Sequence, residues 1–285
     1  MTDKYFDYEK IMIKIDLYMQ KYEFISVTGM GNSILGRSIP VIAFGEGKST
    51  VVYLGGEAGD DYISVTMLLR FVKDICELYK SGGSAFGFSA ENIFKNYNIV
   101  VIPLLNPDGI SYCARGIGED NPLRERILNM NGGRLDNASF SAWKGNARGV
   151  DLRYNYGAEN SEREPEAEVG SLCNFLRFGF TPEMLFSFSR ADTNEGMIFF
   201  GEGARDNKIA MALTQMSGLK RRFRESKEPC LMLSDWAKRE LSAAAFSIEL
   251  PYINGFSKKN FEDKLFACYA SMRKLLFCAP FLNKI

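Results

Sequence analysis

Short, continuous runs of Val, Ile, Leu and Phe recur along this chain, and between them the apolar spacing switches to a helical period. The runs are Ile39–Phe44, Val51–Leu54, Asn98–Leu104, Met184–Phe188, Met197–Phe200 and Ala244–Leu250. Such runs fit strands buried on both faces. Between them, Tyr8–Lys21 reads as a helix, and Ile63–Tyr79 places Leu68, Phe71, Val72, Ile75 and Tyr79 on one side. Ser161-Glu162-Arg163-Glu164 has the form of a capping box opening a helix to about Phe178. A further helix starts after Ser234 and runs through Trp236, and a last one covers about Lys258–Phe277. The alternation predicts one α/β sandwich with a mixed sheet. Length alone suggests one or two domains, a single large α/β domain can also be this long, and 285 residues can bury a sizeable core; one domain over 1–285 is the expectation. Gly109–Arg148, polar and dotted with glycine, reads as a long loop of the kind that forms functional surfaces.

The chain contains no histidine. That closes off Ser–His and Cys–His nucleophilic catalysis and every zinc site that needs an imidazole. Lys plus Arg and Asp plus Glu both number 35, so no bulk field recruits nucleic acid or an acidic membrane, and neither partner is expected. The six cysteines are scattered without a C-x-x-C pair, and buried free thiols are the expected state. The polar start, Met1-Thr2-Asp3-Lys4, lacks a signal-peptide core, and no segment reads as long enough to span a membrane. A cytoplasmic location is the expectation.

Four ordered segments carry chemistry. The first is Gly31-Asn32-Ser33-Ile34-Leu35-Gly36-Arg37-Ser38-Ile39, followed by Val51-Val52-Tyr53-Leu54-Gly55-Gly56. The second is Ile102-Pro103-Leu104-Leu105-Asn106-Pro107-Asp108-Gly109. The third is Trp143-Lys144-Gly145-Asn146-Ala147-Arg148-Gly149-Val150-Asp151-Leu152, with Glu164-Pro165-Glu166 beyond it. The fourth is Ser234-Asp235-Trp236-Ala237 leading to Phe246-Ser247-Ile248-Glu249-Leu250. Together they resemble the zinc metallocarboxypeptidase family, and the third is most similar to the bacterial γ-D-glutamyl-diaminopimelate peptidases.

The resemblance implies the carboxypeptidase fold, a three-layer α/β/α sandwich with a central mixed sheet, and a His₂Glu catalytic zinc. It assigns the first two ligand positions, H-x-x-E in the family, to Ala58 and Asp61, and the second histidine to Ser189. Alanine has no lone pair to give, and a serine hydroxyl is a poor zinc ligand. No zinc is therefore expected, and no other cofactor. Glu249 falls at the family's general base, whose role depends on metal-activated water. It reads as a relic, in a structural or binding role.

Substrate-binding positions carried over from the family fall on Lys144, Arg148, Arg153, Tyr154 and Asn155, where the family's D-[LA]-N-R-N has become Asp151-Leu152-Arg153-Tyr154-Asn155. In an extended segment, Arg153 would point differently from the family's arginine one residue later. Lys144 and Arg148 read equally as anion ligands or as solvated loop charges.

The expectation is a metallocarboxypeptidase-like protein that has lost zinc and peptidase activity and binds a peptide or amino-acid-like ligand, peptidoglycan stem peptides being the natural class. A competing reading keeps an enzyme, with Glu57, Asp60, Asp61, Glu249 and Asp192 holding Mg²⁺, Mn²⁺ or Ca²⁺ through oxygen. Against it, Asp60 and Asp61 sit where acidic residues complement a helix N-terminus. Metal-free acid–base catalysis by Glu249 and a second carboxylate ranks last. In a site without metal, Asp61 and Glu249 would repel, so Arg190 or Arg153 is expected beside them.

Overall fold

A computed structural model of the chain describes residues 7–133, 140–157, 164–225, 232–251 and 258–284. The strands, in chain order, are β1 (Ile25–Asn32), β2 (Ser38–Phe44), β3 (Ser49–Leu54), β4 (Ser84–Ala85), β5 (Phe88–Ser89), β6 (Tyr97–Ile102), β7 (Met184–Arg190), β8 (Met197–Phe200), β9 (Lys220–Phe223) and β10 (Ala244–Leu250). The helices are α1 (Tyr8–Lys21), α2 (Tyr62–Lys80), α3 (Ala90–Asn96), α4 (Pro107–Arg115), α5 (Arg124–Met130), α6 (Ala167–Phe178), α7 (Ala204–Ser217), α8 (Leu233–Leu241) and α9 (Lys258–Cys278). Eight strands form one mixed sheet in the order β1-β2-β6-β3-β7-β10-β8-β9, and β4 and β5 make a separate small hairpin.

The expected runs are buried because the sheet is covered on both sides. One face carries Tyr53, Phe186, Phe188, Phe246 and Ile248, packed against apolar residues of α1, α2, α7 and α9. The other carries Val52, Leu54, Leu185 and Ala245, packed against Val169, Leu172 and Leu176 of α6 and Leu233 and Trp236 of α8. This is the three-layer sandwich. β3, β6, β7 and β10 run parallel, and after β3 the chain winds to β6 on one side and then crosses to β7 on the other. That reversal, at the C-terminal ends of β3 and β7, is where open α/β sheets hold their ligands.

Several expectations change. Gly109–Arg148 is not one long loop: α4 occupies its start and α5 lies within it. Asn106 caps α4 by accepting from the Gly109 amide at 2.8 Å, and Pro107 begins the helix, so the turn signal was also a helix start. Ser161–Arg163 of the expected capping box lie outside the described residues, and α6 begins only at Ala167, after Pro165. Ser234 lies inside α8, whose N-terminal cap is supplied instead by the Asp235 carboxylate accepting from the Met232 amide at 3.0 Å.

One stretch, Glu262–Lys284, is long and apolar enough to cross a membrane, contrary to the sequence expectation, although half of it is buried within the fold. Cys268, Met272, Leu275 and Leu276 are among its residues in the core, and the Tyr53 hydroxyl donates to the Leu276 carbonyl at 2.8 Å. Five cysteines, Cys76, Cys113, Cys173, Cys268 and Cys278, are buried and free, and Cys230 lies outside the described residues.

α8 ends at Ser242, an exposed residue held at φ 55° in the left-handed region. A Cβ there crowds the following carbonyl, a strain that glycine lacks. Ser242→Gly is expected to raise the unfolding free energy by about 0.5–1 kcal/mol in urea titrations. A variant equal to or weaker than the parent would refute this.

Candidate functional site

The C-terminal ends of β3, β7 and β10 open onto a constellation of paired charges. Asn106 builds its floor. Besides capping α4, its side-chain amide donates to the Glu57 carbonyl at 3.0 Å and the Gly145 carbonyl at 3.2 Å. The Asn106 amide donates to the Gly56 carbonyl at 2.8 Å, and the Gly59 amide to the Lys144 carbonyl at 3.1 Å. Three segments, after β3, after β6 and around Trp143, are thus tied backbone to backbone. A Cβ on Gly59 would come within 2.7 Å of the Trp143 carbonyl oxygen and 2.8 Å of Gly109, so only glycine permits this approach.

Two motifs of the resemblance prove to be one contact. Arg37 donates to Asp108 at 2.6 Å, and the other Asp108 oxygen accepts from the Leu35 amide at 3.0 Å. Asn146, fully buried, accepts from the amides of Arg148 and Val150 and donates to Glu166 and Glu168. These residues hold the loops in place.

The segments that carry the positions assigned to metal ligands meet through the pair of Asp60 and Arg190, but with different chemistry. Ala58 is buried and contributes a methyl group. Asp61 is the N-cap of α2, accepting from the Ser64 amide at 3.1 Å and from the Ser64 hydroxyl at 2.6 Å. That hydroxyl in turn accepts from the Gly56 amide at 2.9 Å. Ser189 is buried beside Glu249 in the β7–β10 register. Glu249 is partly exposed, and among the described residues its carboxylate accepts no hydrogen bond.

The neighbouring carboxylates are engaged as well. Asp60 pairs with Arg190, and Glu57 accepts from the Tyr156 hydroxyl at 2.6 Å. Among the described residues, no three His, Cys, Asp or Glu side chains are grouped so that they could hold a metal ion. The donor set therefore does not fit zinc: one ligand position has no donor atom, one has only a hydroxyl, and the third is bound to a helix end.

The candidate substrate-binding cations also have partners. Lys144 bridges to Asp192 at 2.6 Å at the rim, and Arg148 to Glu166 at 3.5 Å. Arg153 does not lie on an extended segment, because Leu152–Tyr154 form a 3₁₀ turn started by Asp151. The turn folds Arg153 back onto Asp151, which takes its Nε at 3.0 Å and an Nη at 2.6 Å. The guanidinium also lies over the Tyr154 ring, 5.3 Å from its centroid. Asn155 accepts from the Glu166 amide at 2.7 Å and thereby anchors the approach to α6.

Electrostatics follow from burial. Burial raises Glu57 to about 8, against the Tyr156 hydrogen bond and the charge of Arg153. Burial likewise raises Asp61 to about 6, against its bonds from Ser64. Asp60 and Glu249 are raised for the same reason, with Arg190 the leading opposing charge for Asp60 and Arg153 for Glu249. Arg153 acts on all four carboxylates and is the central charge of the site. Its own proton is held more tightly than usual: burial opposes this, and the hydrogen bonds to Asp151 together with the negative charges around it outweigh the burial.

Sequence reasoning missed Tyr156 and the bonding role of Asp151. Tyr156 follows directly on the Asp151–Asn155 motif but is not one of its positions, and only the fold brings it to Glu57.

The zinc carboxypeptidase family profile matches residues 13–172. Gamma-D-glutamyl-L-diamino acid endopeptidase 1 of Lysinibacillus sphaericus is 26% identical over 154 residues, 54% of this chain and 38% of that protein. Uncharacterized protein YqgT of Bacillus subtilis (strain 168) is 28% identical over 152 residues, 53% of this chain and 40% of that protein. The matched stretches thus make up well under half of these relatives.

Among solved structures, a metallo-carboxypeptidase from Burkholderia cenocepacia superposes with TM-score 0.69 at 16% identity, over 97% of this chain and 69% of that chain. Carboxypeptidase A from Helicoverpa armigera gives TM-score 0.70 at 14% identity, over 98% and 74%. At these identities the likeness concerns the fold alone. It extends over β7 and β10, which lie beyond the residues that the family profile matches.

Proposed function

Because this chain belongs to the zinc carboxypeptidase family while two of its three ligand positions carry no good zinc donor, we propose that it has lost zinc and peptidase activity and keeps the scaffold to bind a peptide or amino-acid-like ligand. The observation that carries this reading is the commitment of Asp61 to the α2 N-terminus, between an alanine and a serine at the other two positions. A carboxylate already satisfied by an amide and a hydroxyl gains little from a metal with no further strong ligands.

The rim pair Lys144–Asp192 and the partly exposed Glu249 support a ligand carrying both carboxylate and ammonium groups. A ligand carboxylate would exchange with Asp192 on Lys144, and an ammonium would meet Glu249. Peptidoglycan-type peptides fit this description, and one relative is a gamma-D-glutamyl-L-diamino acid endopeptidase. Five buried free thiols support a reducing compartment, the cytoplasm, as the place of action.

The test is metal analysis by mass spectrometry after incubation with Zn²⁺, Mn²⁺ and Mg²⁺ and desalting, alongside an assay with a γ-D-glutamyl-diamino acid peptide. The expected result is metal far below one equivalent and no cleavage with any ion. One equivalent of retained metal, or metal-dependent cleavage, would overturn the proposal.

A further inference from the structure

The sheet ends in a basic strand whose outer edge no further strand covers among the described residues. β9 is the last strand in the order and pairs only with β8, in parallel. All four of its residues, Lys220, Arg221, Arg222 and Phe223, are exposed. Its outer side offers backbone donors and acceptors with no strand partner among the described residues.

The register fixes where the charges point. Glu249 of β10 lies opposite Met197 of β8, which lies opposite Lys220, and Ser247 continues through Phe199 to Arg222. Lys220 and Arg222 therefore share the sheet face of Glu249, and the charge of Arg222 is felt at Glu249. Arg221 and Phe223 occupy the opposite face, where Phe223 packs edge-on against Phe200, with ring centroids 5.9 Å apart. Lys220 bridges to Glu195 at 2.8 Å and Arg224 to Asp235 at 3.0 Å. No ion pair involves Arg221 or Arg222 among the described residues.

We propose that β9 is a docking edge for an extended acidic peptide, which adds as a further strand and places two consecutive carboxylate side chains against Arg221 and Arg222. Charge and geometry select this occupant together. Successive residues of a strand point to opposite faces, so two adjacent acidic residues meet one arginine on each face. The backbone of the peptide completes the ladder, as in other strand-addition complexes. A second copy of the chain pairing β9 with β9 would oppose Lys220, Arg221 and Arg222 to themselves, and like charges across a strand pair are unfavourable. The edge lies two strands from Glu249 in the sheet order, and this inference holds whether or not the site at Glu249 binds metal.

The test uses the full chain and a fluorescein-labelled twelve-residue peptide of alternating Thr and Val around a central Glu-Glu, followed by anisotropy at low and high salt. Saturable binding is expected, weakened at least about tenfold by Arg221→Gln/Arg222→Gln, because each carboxylate loses a charge-assisted partner. A comparable loss is expected when the central amides of the peptide are N-methylated, because the ladder is then broken. Both arginines are exposed, so the variant should melt with the parent, and Arg221→Lys/Arg222→Lys should recover most of the binding. The proposal fails if the peptide does not bind. It also fails if the N-methylated peptide binds equally, or if a single-stranded oligonucleotide of the same charge binds as tightly. In the first case the charges only guard the edge against aggregation, and in the others attraction is not directed by the strand.

Discussion

Arg153→Met is expected to lower the unfolding free energy by about 3 kcal/mol, the low end of the cost of removing one partner from a buried ion pair, because the Asp151 side chain keeps 27% of its surface exposed. Arg153 is only 5% exposed and is held by both oxygens of Asp151. Its loss strands Asp151 and also removes the positive charge that acts on Glu57, Asp60, Asp61 and Glu249. Burial already disfavours the charged forms of those last four, and without Arg153 the ones that remain ionised have one less cation near them. Guanidinium titrations at pH 7 measure the loss. Arg153→Lys should recover only part of it, because an ammonium cannot reproduce the two-pronged bond. Adding Asp151→Asn to Arg153→Met should recover part as well, by removing the orphaned charge. A single variant as stable as the parent would show that Arg153 is not the central charge of the site.

Glu57→Gln should change how stability depends on pH. Glu57 is raised to about 8 in the folded chain by burial, from an ordinary value of 4.5. Between those values the folded chain holds a proton that the unfolded chain has released, so stability falls as pH rises through that window. The contribution of Glu57 is fully present below the unfolded value and is lost by about pH 8. Glutamine stands in for the protonated acid, and its side-chain oxygen still accepts from Tyr156. The variant should match the parent near pH 4.5 and exceed it at pH 8 by about 3 kcal/mol. Each tenfold change in proton affinity is worth about 1.4 kcal/mol, and local relaxation around the buried charge recovers part of the total. Asp61, raised to about 6, should leave a smaller slope in the variant below that pH. Chemical denaturation at pH 5, 6, 7 and 8 provides the check, and parallel curves for parent and variant would rule the assignment out.

Much of the fold was legible. Met197–Phe200 and Ala244–Leu250 are strands over the very residues their apolar runs mark, and Tyr8–Lys21 is a helix over its full expected span. β9 was not legible, because Lys220, Arg221 and Arg222 carry no apolar pattern, and a strand at the edge needs none. β1 was missed for a similar reason: Ser26, Thr28 and Gly29 face solvent at the opposite edge. α4 was hidden because the same Asn-Pro-Asp-Gly that marks a turn also caps and starts a helix.

For the candidate site, the residue types alone determined what cannot happen. With no histidine in the chain and alanine and serine at two assigned positions, the elements for an imidazole-bound zinc are missing whatever the fold does. The sequence also named the charged residues of the site. Only the tertiary structure decided how they pair: Arg190 with Asp60, Lys144 with Asp192, Arg153 with Asp151, and Glu57 with Tyr156. The reason is physical. Residue type sets which charge or donor a position can offer, but its partner depends on which loops the sheet brings together. Here, Glu57 and Tyr156 meet across 99 residues, and Asp60 and Arg190 across 130.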